Sequence, residues 1–276
     1  MSQNFFQLLK NENPLKIVGT INAFSALLAK RKGHQAIYLS GAGVANASYG
    51  LPDLALTSRD NVLEDLRRIK GVCDLPILVD CDTGWGSGLN ISKTIKEMIN
   101  AGADAVHLED QVSEKRCGHR PGKEIVSSDE MEDRIKAAKD SVDNKNFMLM
   151  ARTDAFSKEG ISSVIDRSNA YIEAGADSIF PEAITKLDDY LEISKNVNAP
   201  ILANITEFGL TPMFEINELK NSGVKMILYP LSAFRAMSKA AEEIYEELAE
   251  QKTLKNKLKK MPVSYTHLRA HETCHN

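Results

Sequence analysis

A regular alternation constrains the fold of this chain more than any other feature. Short apolar runs recur at residues 17–21, 36–39, 77–79, 105–108, 147–150, 178–180, 201–203 and 226–229. Segments of helical periodicity fill the gaps between them. In Asn61–Ile69 the residues Val62, Leu66 and Ile69 fall on one face of a helix, and residues 92–99 repeat that pattern. Ala101-Gly102-Ala103 supplies a helix stop, and Ser127-Ser128-Asp129-Glu130 ahead of Met131 has the form of an N-terminal capping box. Buried strands alternating with helices predict a parallel sheet. Eight such units predict a closed (β/α)8 barrel rather than an open doubly wound sheet. An internal echo supports a parallel α/β chain, where such a connection is common, more than it supports a barrel: Ala101-Gly102-Ala103-Asp104 before one strand matches Ala174-Gly175-Ala176-Asp177 before another, and a Glu follows each strand.

Composition excludes several classes of function. The net charge of -4 implies neither a nucleic-acid nor an anionic-membrane partner. No apolar run is long enough to span a bilayer, and the first ten residues lack the basic and small-residue regions of a secretory signal. The four cysteines, Cys73, Cys81, Cys117 and Cys274, have neither disulfide-framework nor CxxC spacing, so a reducing, cytoplasmic setting is expected.

In a barrel every C-terminal strand end faces one mouth, where active sites are built. The expected ends read Ser40-Gly41, Asp80-Cys81-Asp82, Glu109-Asp110, Arg152-Thr153-Asp154, Pro181-Glu182 and Asn204-Ile205-Thr206, and Arg235 follows the last strand. Asp80 and Asp82 alternate with Cys81, which puts both carboxylates on one side. Such a pair attracts a hard cation, and with few protein ligands Mg2+ fits best. Glu109 and His107 are placed to support its waters. The competing reading has one Asp capping the Gly84-Trp85-Gly86-Ser87 turn without a metal. Arg152 and Arg235 offer planar grips for carboxylates, Asn204 and Thr206 add neutral donors, and the small residues Ser40-Gly41-Ala42-Gly43 let backbone N–H groups approach an anion. Cys117 sits in Lys115-Arg116-Cys117-Gly118-His119-Arg120, where the cations are expected to lower its pKa and make it a ready proton carrier. Metal, arginines and thiol together suggest enolate chemistry on a small substrate with several carboxylates.

These motifs resemble the isocitrate lyase and phosphoenolpyruvate mutase superfamily, and most closely its 2-methylisocitrate lyase family. The resemblance rests on Asp80-Cys81-Asp82-Thr83-Gly84-Trp85-Gly86, His107-Leu108-Glu109-Asp110-Gln111, Lys115-Arg116-Cys117-Gly118-His119, Ala151-Arg152-Thr153-Asp154-Ala155, Asn204-Ile205-Thr206-Glu207-Phe208-Gly209 and the stretch from Tyr229 to Met237, in order. It implies a (β/α)8 barrel with a swapped C-terminal helical extension, a homotetramer, and Mg2+-dependent cleavage of a tricarboxylate, 2-methylisocitrate, to pyruvate and succinate in propionate breakdown. It implies that Asp80 and Asp82 hold the metal with Glu109 in support. Ser40, Gly41, Ala42, Cys117, Gly118, Arg152, Glu182, Asn204, Ile205, Thr206 and Arg235 would bind substrate. Cys117 would protonate the succinate carbanion, and Tyr38 and Asp53 would lie at the active site. The group that takes the hydroxyl proton stays open, as does the strength of the preference over isocitrate. The rivals are another carboxylate-processing member of the superfamily and a dicarboxylate-binding barrel without turnover.

The expected lyase domain covers residues 1–261. Residues 262–276 depart from the family pattern: Pro262 breaks a helix, and Ser264 stands where the family carries an Arg. This stretch is expected to be a foreign junction that leaves the swapped helix incomplete.

Overall fold

A computed structural model describes residues 4–120, 122–250 and 253–261. The eight strands are β1 (Leu15–Gly19), β2 (Ala36–Leu39), β3 (Ile77–Asp80), β4 (Ala105–Glu109), β5 (Met148–Thr153), β6 (Ser178–Pro181), β7 (Leu202–Asn204) and β8 (Met226–Tyr229). All pair in parallel, in the order β6-β5-β4-β3-β2-β1-β8-β7. A further parallel bridge between Ile179 and Ile201 joins the two ends of that order. The fold is therefore the expected TIM-type α/β barrel. The helices between strands are α2 (Ala23–Arg31), α4 (Arg59–Lys70), α5 (Gly88–Asn100), α6 (Ser128–Lys139), α7 (Phe156–Glu173), α8 (Leu187–Asn196) and α9 (Ile216–Asn221), with a single turn α3 (Gly41–Gly43) after β2.

Strand periodicity divides the core into two shells. Ile17, Ala36, Tyr38, Leu78, Ala105, Met148, Met150, Phe180, Leu202, Met226 and Leu228 form the interior cluster, and Phe5 and Leu8 of α1 (Phe5–Asn11) pack into it. The intervening strand residues, such as Ile37, Val79, Val106, Leu149 and Ile227, meet the helices in the larger outer cluster. A strand that buries both faces is apolar throughout, which is why these runs were conspicuous.

The internal echo is a repeated structural device. Gly102 and Gly175 take the left-handed φ values of 97° and 116° that let a helix end at once. Asp104 Oδ2 then accepts from the backbone N of Ile77 at 3.0 Å and meets Lys70 Nζ at 3.2 Å. Asp177 repeats this with the N of Leu149 at 2.9 Å and Lys139 Nζ at 2.9 Å. Each Asp thus ties its own strand to the start of the neighbouring strand and to the helix before it. The capping box expected at α6 is half formed. Ser127 Oγ accepts from the N of Glu130, but the Glu130 carboxylate bonds Arg134 Nη2 at 2.7 Å instead of turning back to the cap.

β1 begins at Leu15 and ends at Gly19, two residues earlier than its apolar run suggests. Ile21 already belongs to the entry of α2, where its N donates to Ser25 Oγ. Contacts divide the chain into a unit through Phe234 and a second from Arg235. In the second, Lys257 pairs with Glu247 at 2.9 Å. Helix α10 (Ser232–Ala249), which runs into it, buries none of its residues. The atypical stretch 262–276 lies outside the described residues.

The closest approach in the barrel wall is at Gly19, where an added Cβ would stand 1.6 Å from the carbonyl O of Pro230. Gly19→Ala must push β1 off the end of β8. Urea denaturation is expected to show a loss of about 1–3 kcal/mol, and an unchanged midpoint would mean that this contact has slack.

Candidate active site

The period of two that fills the barrel with apolar side chains also builds the site. Continuing the interior positions up each strand gives Tyr38 then Ser40, Leu78 then Asp80, Ala105 then His107 and Glu109, Met150 then Arg152, Phe180 then Glu182, and Leu202 then Asn204. The lower layer is apolar and the upper layer is polar, and every one of these polar residues is buried. Charges buried together must be paired or hydrogen-bonded.

The first corner is built on β2 and β3. Tyr38 Oη donates to Asp80 Oδ2 at 3.2 Å, and the backbone N of Gly41 donates to the same oxygen at 3.0 Å. His107 Nε2 lies 3.0 Å from Tyr38 Oη and 3.5 Å from Asp80 Oδ1. This arrangement assigns the proton to Nε2, with Nδ1 left without a partner in the apolar interior. Burial pushes the His107 pKa down to about 4, so the ring is neutral. Asp82 lies past the end of β3 with a left-handed φ of 45°, not on the strand as its alternation with Cys81 suggests. Its N donates to Asp80 Oδ1 at 3.1 Å, and its carbonyl accepts from the N of Glu109 at 2.9 Å. The two carboxylates still converge: a Cβ on Gly41 would stand 3.1 Å from Asp80 Oδ2 and 3.2 Å from Asp82 Oδ1. Asp82 does not cap the Gly84 turn; Lys115 Nζ meets its Oδ1 at 2.9 Å and Asp53 Oδ1 at 2.6 Å. Burial raises the Asp80 carboxyl, but His107, Lys115, Arg152 and the Gly41 amide outweigh it and hold the group well below the usual range. Asp82 is pushed up to about 6 by burial and by Asp80, against the pull of Lys115.

The second corner is built on β5, β6 and β7. Arg152 Nε lies 2.9 Å from Asp154 Oδ2 and 3.4 Å from Glu109 Oε2, and its Nη1 lies 3.2 Å from Glu182 Oε2. Its guanidinium also stands over the Phe180 ring at 5.1 Å. Asn204 Nδ2 donates to both Glu182 oxygens at 3.3 Å. The N of Leu210 donates to His119 Nδ1 at 3.0 Å, which leaves the His119 proton on Nε2, 3.2 Å from Glu182 Oε1. Burial raises the Glu109 carboxyl well above its ordinary value, against Arg152 and Lys115.

The segment after β4 brings the thiol to this second corner. Gln111 grips the backbone of Arg116 from both sides, accepting from its N at 3.0 Å and donating to its O at 2.9 Å. Gly118 packs so tightly that a Cβ would stand 2.3 Å from Arg152 Nη2 and 2.4 Å from Glu182 Cγ. The expectation of a lowered Cys117 pKa is overturned. Burial raises it, and Asp53 and Glu182 add to the rise. The nearby cations look elsewhere: Lys115 is spent on Asp53 and Asp82, and Arg116 and Arg120 are exposed. Cys117 is therefore a thiol at neutral pH.

Most of the remaining expected residues reach this mouth. Ser40 Oγ accepts from the N of Gly43 at 3.3 Å, Ala42 follows Gly41 in the same turn, and Thr206 is buried beyond β7. The Gly41 N–H is already spent on Asp80, so it is not a free anion donor. The Ile205 side chain packs in the outer cluster. Arg235 lies in the first turn of α10, in the second unit. Sequence reasoning missed the pairing role of Lys115, named Asp154 at the end of β5 without giving it a role, and missed Lys123 altogether. Asp154 lies two residues beyond Arg152, on the same face; Lys123 sits in an irregular segment that carries no period.

The residues suit a hard cation. Two carboxylates converge beside a glycine, and Glu109 Oε1 is buried without a hydrogen bond. Among the described residues no group of three or more His, Cys, Asp or Glu is placed to hold a metal ion, so a cation held by the two aspartates would take most of its shell from water and substrate, as Mg2+ does. Lys115→Met would leave Asp82 and Asp53 uncompensated, and is expected to lower unfolding stability at pH 7 by roughly 3 kcal/mol. A loss of only a few tenths in urea denaturation would show that Lys115 does not balance these charges.

Comparison with known proteins agrees with this geometry. The family model for phosphoenolpyruvate phosphomutase matches residues 5–249. The 2-methylisocitrate lyase of Escherichia coli K12 is 57% identical over 253 residues, covering 91% of this chain and 86% of that protein. The crystal structure of 2,3-dimethylmalate lyase, a PEP mutase/isocitrate lyase superfamily member, aligns with a TM-score of 0.84 at 31% identity over 88% of this chain and 82% of that one. Phosphonopyruvate hydrolase in complex with oxalate and Mg2+ aligns with a TM-score of 0.82 at 25% identity, over 96% and 93% of the two chains. With its polar barrel mouth, its convergent aspartates and its Cys-Gly turn, the chain belongs to the phosphoenolpyruvate mutase and isocitrate lyase superfamily, and within it to the 2-methylisocitrate lyases, a family of carbon–carbon lyases.

Proposed function

We propose that the enzyme cleaves 2-methylisocitrate to pyruvate and succinate, with Mg2+ as cofactor and Cys117 as general acid, in propionate breakdown through the methylcitrate cycle. The observation that carries this reading is the seating of the Cys117–Gly118 turn on Arg152 and Glu182, in the same mouth as the convergent Asp80–Asp82 pair. Asp80 and Asp82 would hold the metal, with Glu109 and His107 behind them. Bound there, Mg2+ supplies positive charge that stabilises the oxygen-centred anion of the pyruvate half.

The chain's own residues do the rest. Ser40, Gly41, Ala42, Gly118, Arg152, Glu182, Asn204, Ile205, Thr206 and Arg235 make up the proposed substrate-binding set. The 2-hydroxyl gives its proton to a base. Burial and Asp80 keep Tyr38 a phenol, which suits it to donate a hydrogen bond. Asp53, an acceptor, is held by Lys115 at 2.6 Å. As the C2–C3 bond breaks, its electron pair passes to the succinate half, and the Cys117 Sγ–H supplies the proton that forms the new C–H bond. The raised pKa of Cys117 serves this role, because an acid must still hold its proton when the carbanion forms. The turn excludes water from that carbanion.

The exposed apolar residues Met237, Tyr245 and Leu248 on α10 support a homotetramer with exchanged helices. No helix among the described residues is long and apolar enough to cross a membrane, and Cys73, Cys81 and Cys117 are free thiols, which supports a cytoplasmic location.

A coupled assay should detect Mg2+-dependent pyruvate from 2-methylisocitrate, well in excess of glyoxylate from isocitrate; glyoxylate in excess would move the enzyme to the isocitrate branch. Cys117→Ser should lose at least about 100-fold in kcat with unchanged circular dichroism. Near-normal turnover would remove Cys117 from the chemistry. The active form carries the protonated thiol, so kcat should hold through neutral pH and fall only as pH rises above the ordinary thiol range. A fall starting near neutrality would show that the thiol is not raised.

A further inference from the structure

Lys123 is charged, almost fully buried and unused by the chemistry above. It is 4% exposed, and its Nζ donates to two acceptors: the backbone O of Gly118 at 2.6 Å and Asp154 Oδ1 at 2.8 Å. A lysine ammonium loses water at a high cost unless each donor is placed, so a burial this deep marks a specific position. Its reach is short in sequence. Gly122, with φ of 78°, turns the chain back so that Lys123 lies under the carbonyl five residues before it.

The other side of the contact is anchored deeper. Asp154 also holds Arg152 through Nε at 2.9 Å and Nη2 at 3.2 Å. Burial alone would raise the Asp154 carboxyl, but Arg152 and Lys123 lower it to about 2. Its backbone N donates to Asp110 Oδ1 at 2.8 Å, and Asp110 Oδ2 accepts from Thr153 Oγ1 at 2.7 Å and Tyr171 Oη at 2.9 Å. One fixed carboxylate thus orients the cation of the second corner and, through Lys123, the carbonyl next to the thiol.

We propose that Lys123 is a positioning residue: an ammonium latch that holds the Cys117–Gly118 turn on Arg152 and Glu182 and keeps the thiol seated over the site. Asp154 ties that latch to Arg152, so the acid and the cation keep a common register. The latch touches no reacting atom. It rests on the reading of Cys117 as the acid only for its effect on turnover; its effect on the position of the turn stands apart.

The test uses the whole chain and its Lys123→Met variant, which keeps the side-chain length and removes the donors. Lys123→Met with Asp154→Asn is the second variant, because it relieves the unpaired carboxylate should the single change fail to fold. Two quantities are read: the rate of Cys117 alkylation by iodoacetamide without substrate, and kcat with KM for 2-methylisocitrate. To isolate Cys117, each alkylation rate is corrected by the matching variant that also carries Cys117→Ser. The latch requires alkylation of Cys117 to speed up at least tenfold in a folded variant. It also requires kcat to fall at least tenfold with KM changed less than threefold, and Lys123→Arg to recover part of both. A folded variant whose Cys117 alkylates at the wild-type rate would overturn the latch, whatever happens to turnover. Faster alkylation with unchanged kcat would keep the latch on the turn and overturn its part in catalysis. Failure of the acid assignment shows separately, as retained activity in Cys117→Ser.

Discussion

Negative charge in excess of the cations that face it, buried in the barrel mouth, is the constraint on which this structure turns. Asp80, Asp82, Glu109, Asp154 and Glu182 are all buried there, and the buried cations that face them are Lys115, Lys123 and Arg152. A buried charge is tolerable only where a partner offsets its lost hydration. Lys115 and Arg152 therefore each serve more than one carboxylate, while Lys123 serves Asp154 and the Gly118 carbonyl. Burial pushes up the carboxyls of Asp82 and Glu109, so holding both ionised is costly with the cations present. That excess is the physical reason why this mouth suits a divalent cation and a substrate gripped through the same groups.

The barrel was legible because strand burial is two-sided. Runs such as 77–79 and 105–108 are apolar on both faces, and the structure uses one face for the interior cluster and the other for the helices. The echo of Ala-Gly-Ala-Asp proved to be more than a common connection, since Asp104 and Asp177 each accept from a neighbouring strand and pair with a lysine. Strand ends were less legible. At β1 the apolar run extends to Ile21, whose backbone already belongs to the entry of α2, a change of role invisible to periodicity.

The site was legible wherever it rides on a strand. Asp80, Glu109, Arg152, Glu182 and Asn204 follow from counting alternate residues upward, and the structure brings them together. It was poorly legible in the segment after β4. A thiol among four basic neighbours suggested a thiolate, but proximity in sequence did not become proximity in space. Lys115 turns to Asp53 and Asp82, and burial then decides the direction of the shift. Lys123 was missed, and Asp154 was given no role, because their importance lies in a pairing between a loop and a distant strand end.

The central claim is that Asp80 and Asp82 form a cation site whose excess charge is real. Calorimetric titration of Mg2+ into this chain tests it most directly, with Asp82→Asn titrated alongside at the same pH and ionic strength. Wild type is expected to bind one Mg2+ per chain, and Asp82→Asn to bind at least about tenfold more weakly. Equal affinity in a variant of unchanged stability would contradict the claim and place the cation elsewhere.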